Sequence, residues 1–213
     1  MKRIQNNIFL FLFCSLSVIA QENDFQTWHS VSLNKKVIKK TSLTLKSALR
    51  LRENSSLYSK QFFDLRIKRR FNKKASYAFG FRYINRWDKE LILSNQNRIY
   101  TDLNYKNKIT KRYSFSIRNR LQHQGDSNEY KMTLRQKFSL EYNIKKTKLT
   151  PYIGSEYFLT INDGVNKLRS TISLSYPVSK TIDVDLAFRM QNEYYVNNPE
   201  TLFIFESKLS YKL

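Results

Sequence analysis

A two-residue alternation of apolar and polar side chains runs through this chain from about Thr41 to its last residue. Near the end, Ile182, Val184, Leu186, Phe188 and Met190 alternate with Asp183, Asp185, Ala187, Arg189 and Gln191. Successive side chains of a β-strand leave opposite faces, so the pattern gives each strand one apolar side and one charged side. It recurs about ten times in passes of roughly ten residues, the length a tilted strand needs to cross a bilayer. The expected fold is all-β: an antiparallel up-and-down transmembrane β-barrel of about 10–12 strands.

The passes fall at 41–52, 61–71, 76–87, 95–106, 112–123, 129–142, 149–159, 167–176, 182–194 and 203–213. Their connections alternate in kind. Short basic ones stand at 35–40, 72–74, 106–112, 143–148 and 178–181; longer polar or acidic ones stand at 53–60, 88–94, 124–129, 160–166 and 195–201. Short turns on the inner side and longer loops on the outer side are the rule for outer-membrane barrels. Aromatic residues end the apolar faces, with Tyr77, Tyr105, Tyr113, Tyr142, Tyr176 and Tyr211 at one level. Tyr83, Trp87, Tyr130, Tyr157 and Phe203 stand at the other. Two such rings around an aliphatic band match interfacial girdles. The segment 25–34, with Trp28, Val31 and Leu33, reads as a further strand. Counting it gives eleven strands and puts its start on the outer-loop side, which leaves the count open between ten and twelve.

Residues 1–20 read as a secretory signal peptide: the basic Met1-Lys2-Arg3, an uncharged apolar run from Ile8, and small residues Val18 and Ala20 before the polar Gln21-Glu22. Residues 21–213 then form one barrel domain, placed in the outer membrane after export. Cys14 is the one cysteine and lies within the leader, so no disulfide or thiolate metal site is expected.

The net charge is +21, from 38 Lys and Arg against 17 Asp and Glu. Such a surplus usually points to nucleic acid or an anionic surface. Here the cations are divided between short turns and one face of every strand, so no nucleic-acid partner is expected. If the barrel closes, the polar faces meet inside. Arg50, Arg52, Arg66, Arg82, Arg86, Arg98, Arg118, Arg120, Arg135, Arg169 and Arg189 then line the lumen, with Asp64, Asp102 and Glu156 among the answering carboxylates. Two readings stand: a basic vestibule that attracts a small anionic solute, or a lumen filled by stiffening Arg–carboxylate pairs. A barrel of this size has a narrow bore, which favours the second.

Several stretches resemble a family of outer-membrane proteins grouped as domain of unknown function 2490. They are Trp28, the NKKVIKKTSLTL turn, FGFRYINRW, the NRIY start at Asn97, Arg118 with Arg120, PYIGSEYF, and NKLRSTISLSY followed by PVSKTIDVDLAFRMQ. The resemblance implies an outer-membrane barrel and brings no activity or catalytic residues. Lipid is the expected surrounding, and the amphipathic last strand, with Phe203, Phe205, Leu209, Tyr211 and Leu213, resembles the segment read by the barrel-assembly machinery.

Enzymatic alternatives need a nucleophile, a base and an orienting group. The two histidines offer little. His29 and Ser30 are adjacent and point to opposite faces, while His123 precedes Ser127 in a loop. A lipid hydrolase and a soluble basic barrel binding a polyanion remain as alternatives. No metal or other cofactor is expected: no histidine, cysteine or acidic cluster has ligand spacing, and the glycines are isolated.

Overall fold

The structure is a computed structural model that describes residues 23–161, 163–196 and 198–213; the expected signal peptide lies outside the described residues. Eleven strands form one closed barrel. They are β1 (Asn23–Ile38), β2 (Thr41–Arg52), β3 (Leu57–Arg70), β4 (Ala75–Trp87), β5 (Leu93–Lys108), β6 (Tyr113–Gly125), β7 (Tyr130–Tyr142), β8 (Thr150–Thr160), β9 (Gly164–Pro177), β10 (Ile182–Glu193) and β11 (Thr201–Lys212). Consecutive strands pair antiparallel. β1 closes the ring on β11 in parallel, with Phe25 opposite Phe203 and Leu33 opposite Tyr211.

The segment 25–34 is therefore a wall strand. An odd number of alternating strands leaves the first and last pointing the same way, so the closing pair has to be parallel. Asn23 stands beside Thr201, at the end of the barrel that carries the longer connections. β1 also runs further than its sequence suggests. The Lys-rich stretch expected as a turn at 35–40 continues the strand through a bulge between Lys36 and Ile38 and turns only at Lys39-Lys40, where Lys40 takes φ 67°.

Short polar side chains fix the tight turns at the same end. Asn72 Oδ1 accepts from the amides of Lys74 and Ala75, both at 2.8 Å. Thr110 Oγ1 accepts from Arg112 and Tyr113, and Ser179 Oγ from Thr181 and Ile182. These are the Asx and Ser/Thr turns that such residues favour. At the opposite end, Asp126 Oδ1 accepts from the amides of Asn128 and Glu129. Those two donors hold its carboxyl below the usual carboxylate range.

The alternation sets the two faces. Outward rows such as Leu65, Ile67, Phe79, Phe81, Ile99 and Leu103 are exposed, whereas Phe62, Asp64, Tyr100 and Asp102 between them are buried inward. From Phe203 to Tyr211 on β11 the outward row covers roughly 20 Å of height at a tilt of about 40°, close to the apolar band of a bilayer-spanning barrel. Tyr113 packs on Tyr142 at 4.9 Å at one rim, and Tyr58 on Trp87 at 6.1 Å at the other.

Phe81 sits at the middle of β4 in this outward belt. Phe81→Arg should cost about 2–4 kcal/mol at bilayer mid-depth and reduce the yield of assembled barrel, read as the fraction that migrates as a compact unboiled band. Assembly equal to the unsubstituted chain would mean that this face does not meet lipid.

Candidate lumenal site

The inward faces enclose a cavity of about 1450 Å³. It runs from loop-level residues Asn54, Lys89 and Asn198 down to Asn34, Thr44 and Ser210 near the tight-turn end. Its described lining holds seventeen Lys and Arg against seven Asp and Glu. All eleven arginines singled out from the sequence contribute to this lining, as do Asp64 and Glu156. Asp102 lies behind it, 0 % exposed, covered by the arginines it binds.

The charges separate into two regions. Around β3–β9, cations and carboxylates are joined. Arg120 grips Asp102 through two bonds, Nε to Oδ1 at 2.6 Å and Nη2 to Oδ2 at 2.9 Å, and Arg66 approaches the same carboxylate at 3.3 Å. Arg82 Nε donates to Asp64 Oδ2 at 2.7 Å, and the Tyr100 hydroxyl donates to Oδ1 at 2.8 Å. Glu156, 2 % exposed, is the hub of the largest cluster. Arg118 meets it at 2.5 Å, Arg135 at 2.8 Å and Arg169 at 3.8 Å. Beyond this region, Arg189 of β10 pairs with Glu206 of β11. Forked guanidinium–carboxylate contacts of this kind fix side-chain position as well as balancing charge.

Near the loop end of β2–β5 the cations are not balanced. Arg50, Lys60 and Arg86 are direct cross-strand neighbours on three successive strands, all inward. Like charges placed directly opposite repel. Among the described residues none of the three forms an ion pair; Asp64, Glu193 and Glu206 pair with Arg82, Lys167 and Arg189. Arg98 donates to the neutral Gln124 side chain at 2.6 Å. Arg52 adds a buried guanidinium whose Nε and Nη2 have no hydrogen-bond partner.

Aromatic rings line the lumen as well, and these the sequence reading missed. Trp28, Phe62, Tyr100 and Phe158 point inward, each with a guanidinium over its face. Arg50 lies 3.6 Å from the Trp28 centroid, Arg82 3.9 Å from Phe62, Arg120 3.9 Å from Tyr100 and Arg135 4.3 Å from Phe158. Parity was the available signal, since Phe62 is in step with Asp64 and Phe158 with Glu156 on their strands. Gly80 makes room for one of them: a Cβ there would stand 2.2 Å from Cζ of Tyr100.

The histidines are both outward. His123 packs on Tyr130 at 4.8 Å, and no hydrogen bond to Ser127 is present among the described residues. His29 Nδ1 instead meets Ser207 Oγ at 2.8 Å across the β1–β11 seam. No third group orients this pair among the described hydrogen bonds. No group of three or more potential metal ligands occurs among the described residues.

Glu156→Gln leaves three guanidinium groups converging on a neutral amide. Breaking a buried ion pair from one side costs about 3–5 kcal/mol, so the urea midpoint for loss of the compact unboiled band should fall; an unchanged midpoint would show that the cluster carries no stability. Gly80→Ala should push Tyr100 off its seat and break its bond to Asp64 Oδ1, detectable as altered Tyr100 ring resonances with the barrel still assembled.

The sequence model of the family described as "Protein of unknown function (DUF2490)" matches residues 25–201. No curated protein matches the sequence. Among solved structures, the NanC porin in a rhombohedral crystal form aligns with TM-score 0.50 at 12 % identity, covering 78 % of this chain and 86 % of that one. The beta domain of the Bordetella autotransporter Brka aligns with TM-score 0.47 at 7 % identity, over 79 % and 82 %. The first likeness supports the closed-barrel fold. With the match spanning most of the wall from β1 to the start of β11, the chain belongs to the DUF2490 family.

Proposed function

We propose that this protein spans the outer membrane and that its lumen draws in and binds or passes a small anionic solute. The membrane placement is supported by the outward apolar belt, the aromatic rims, the leader-like first twenty residues and a fold shared with a porin. The observation that carries the anion reading is the uncompensated row Arg50–Lys60–Arg86 beside Arg52 at the loop end of the cavity. Three adjacent lumenal cations without a carboxylate repel one another until an anion lies between them, and low-dielectric walls strengthen their field. The paired region around Glu156 and Asp102 serves as wall, where forked ion pairs fix the arginine side chains in place. No chemical step is assigned, because neither histidine meets a nucleophile and an orienting group together.

In planar bilayers under a potassium chloride gradient, the purified chain should conduct with a reversal potential of anion-selective sign. Arg50→Gln/Lys60→Gln/Arg86→Gln should shift that potential toward zero while the heat-modifiable band shows the barrel intact. Cation selectivity, or a triple variant with unchanged selectivity, would defeat the anion reading. A folded barrel with no conductance would leave only the binding or structural role.

A further inference from the structure

The outward face carries a row of uncharged polar side chains at the waist of the barrel. Asn119 stands at the midpoint of β6, Gln136 at that of β7, Ser155 at that of β8 and Ser170 at the middle of β9. Each is central in its own strand, so the row follows the barrel's mid-height whatever the strand tilt. Asn119 is the direct cross-strand neighbour of Gln136, and Ser155 of Ser170. Gln136 Nε2 donates to Asn119 Oδ1 at 2.6 Å, and the Tyr157 hydroxyl donates to Gln136 Oε1 at 2.6 Å.

These bonds occupy amide oxygens but leave donors over. Asn119 Nδ2 and the second N–H of Gln136 have no partner among the described hydrogen bonds. An acyl chain offers no acceptor, and an unmet amide donor in hydrocarbon is costly. At the equivalent level elsewhere in the ring stand phenylalanines (Phe63, Phe81, Phe188) or single hydroxyl side chains (Ser47, Thr101, Ser207), whereas the primary amides at this height, among the described residues, are those of β6 and β7.

We propose that the β6–β9 face is an interface with a second copy of this chain in the membrane. A primary amide carries both donors and acceptors, so one row is complementary to itself across a two-fold axis. Each amide oxygen keeps a second lone pair, and the free N–H groups of each copy then meet these on the other. Ser155 and Ser170 are small and let the two walls approach closely, as small residues do between membrane helices. Four strands at about 4.8 Å spacing and an apolar band about 25 Å tall give roughly 500 Å² per copy and roughly 1000 Å² in the pair, at the lower bound for a specific interface. The inference rests on the bilayer placement above, but not on passage of an anion.

The test is the mass of the purified full chain by sedimentation equilibrium in detergent micelles, with the band shift on boiling establishing that each variant is folded. The unsubstituted chain should sediment as a dimer. Asn119→Leu/Gln136→Leu adds apolar surface to a lipid-facing wall and so should stay folded while its dimer dissociation constant rises at least tenfold. His29→Leu, on the far side of the barrel, should leave the dimer unchanged. A folded chain that is monomeric at every concentration overturns the proposal. So does a dimer that Asn119→Leu/Gln136→Leu leaves intact, or a doubled mass made up by a different polypeptide. A chain that stays in solution without detergent overturns the bilayer placement, and this inference with it, which is a result distinct from a monomeric membrane barrel.

Discussion

Each backbone amide in the wall needs a hydrogen-bond partner, and an edge strand leaves a row of them unpaired. That requirement is met only if the sheet closes, and in this chain closure depends on the parallel pairing of β1 with β11. The seam is reinforced on both faces. Inside, Ser32 Oγ donates to Ser210 Oγ at 3.0 Å; outside, His29 meets Ser207 at 2.8 Å. Beyond the last rung the Leu213 amide donates to the Asn34 carbonyl at 2.8 Å. Everything described for the lumen follows from closure, because only a closed ring brings inward side chains of strands far apart in sequence to one place.

Closure also decides what an arginine-rich inner face can do. Arg118, Arg135 and Arg169 come from three strands and converge on Glu156 of a fourth. Arg66 and Arg120 share Asp102 from either side. Guanidinium groups tolerate this crowding because they are flat, weakly hydrated and able to stack on rings while donating at their edges. Tyr100 links the two devices: Arg120 lies over its ring and its hydroxyl binds Asp64. Asp64, Asp102 and Glu156 are thus spent on one part of the wall, and among the described residues Arg50, Lys60 and Arg86 at the loop end of β2–β4 have no ion pair.

Much of this fold can be read directly in the sequence, because a period of two is set by strand geometry and survives any detail of packing. The strands from β2 to β11 and the alternation of tight turns with longer connections follow from it; of the loop-level aromatics, Trp87 and Tyr130 stand at strand ends, whereas Tyr157 lies lower, beside Gln136 at the middle of β7. The strand at 25–34 is visible too, but its role is not: a count of eleven conflicts with the even-numbered rule, and only the register of Phe25 with Phe203 resolves it. Parity likewise says that Arg118, Arg120 and Glu156 share a face. It cannot say that Glu156 gathers three arginines while Arg50, Lys60 and Arg86 gather none, since that depends on stagger between strands up to 38 residues apart. Asn119, between Arg118 and Arg120 at an apolar parity, is the reverse case: it is plain in the sequence, and its weight emerges only beside Gln136 and Tyr157.

The seam has a kinetic consequence. It joins residues as far apart in sequence as His29 and Ser207, separated by 178 positions, whereas every other neighbour in the ring is a hairpin. Hairpins form early because their loops are short; a contact between first and last strands bears the full loop-closure entropy and forms last. Until then the chain is an open curved sheet with two bare edges, β1 and β11, each able to pair with any free strand it meets. Escape from that state requires the C-terminal strand, so a growing or truncated chain holds ten strands of correct wall and still has no barrel.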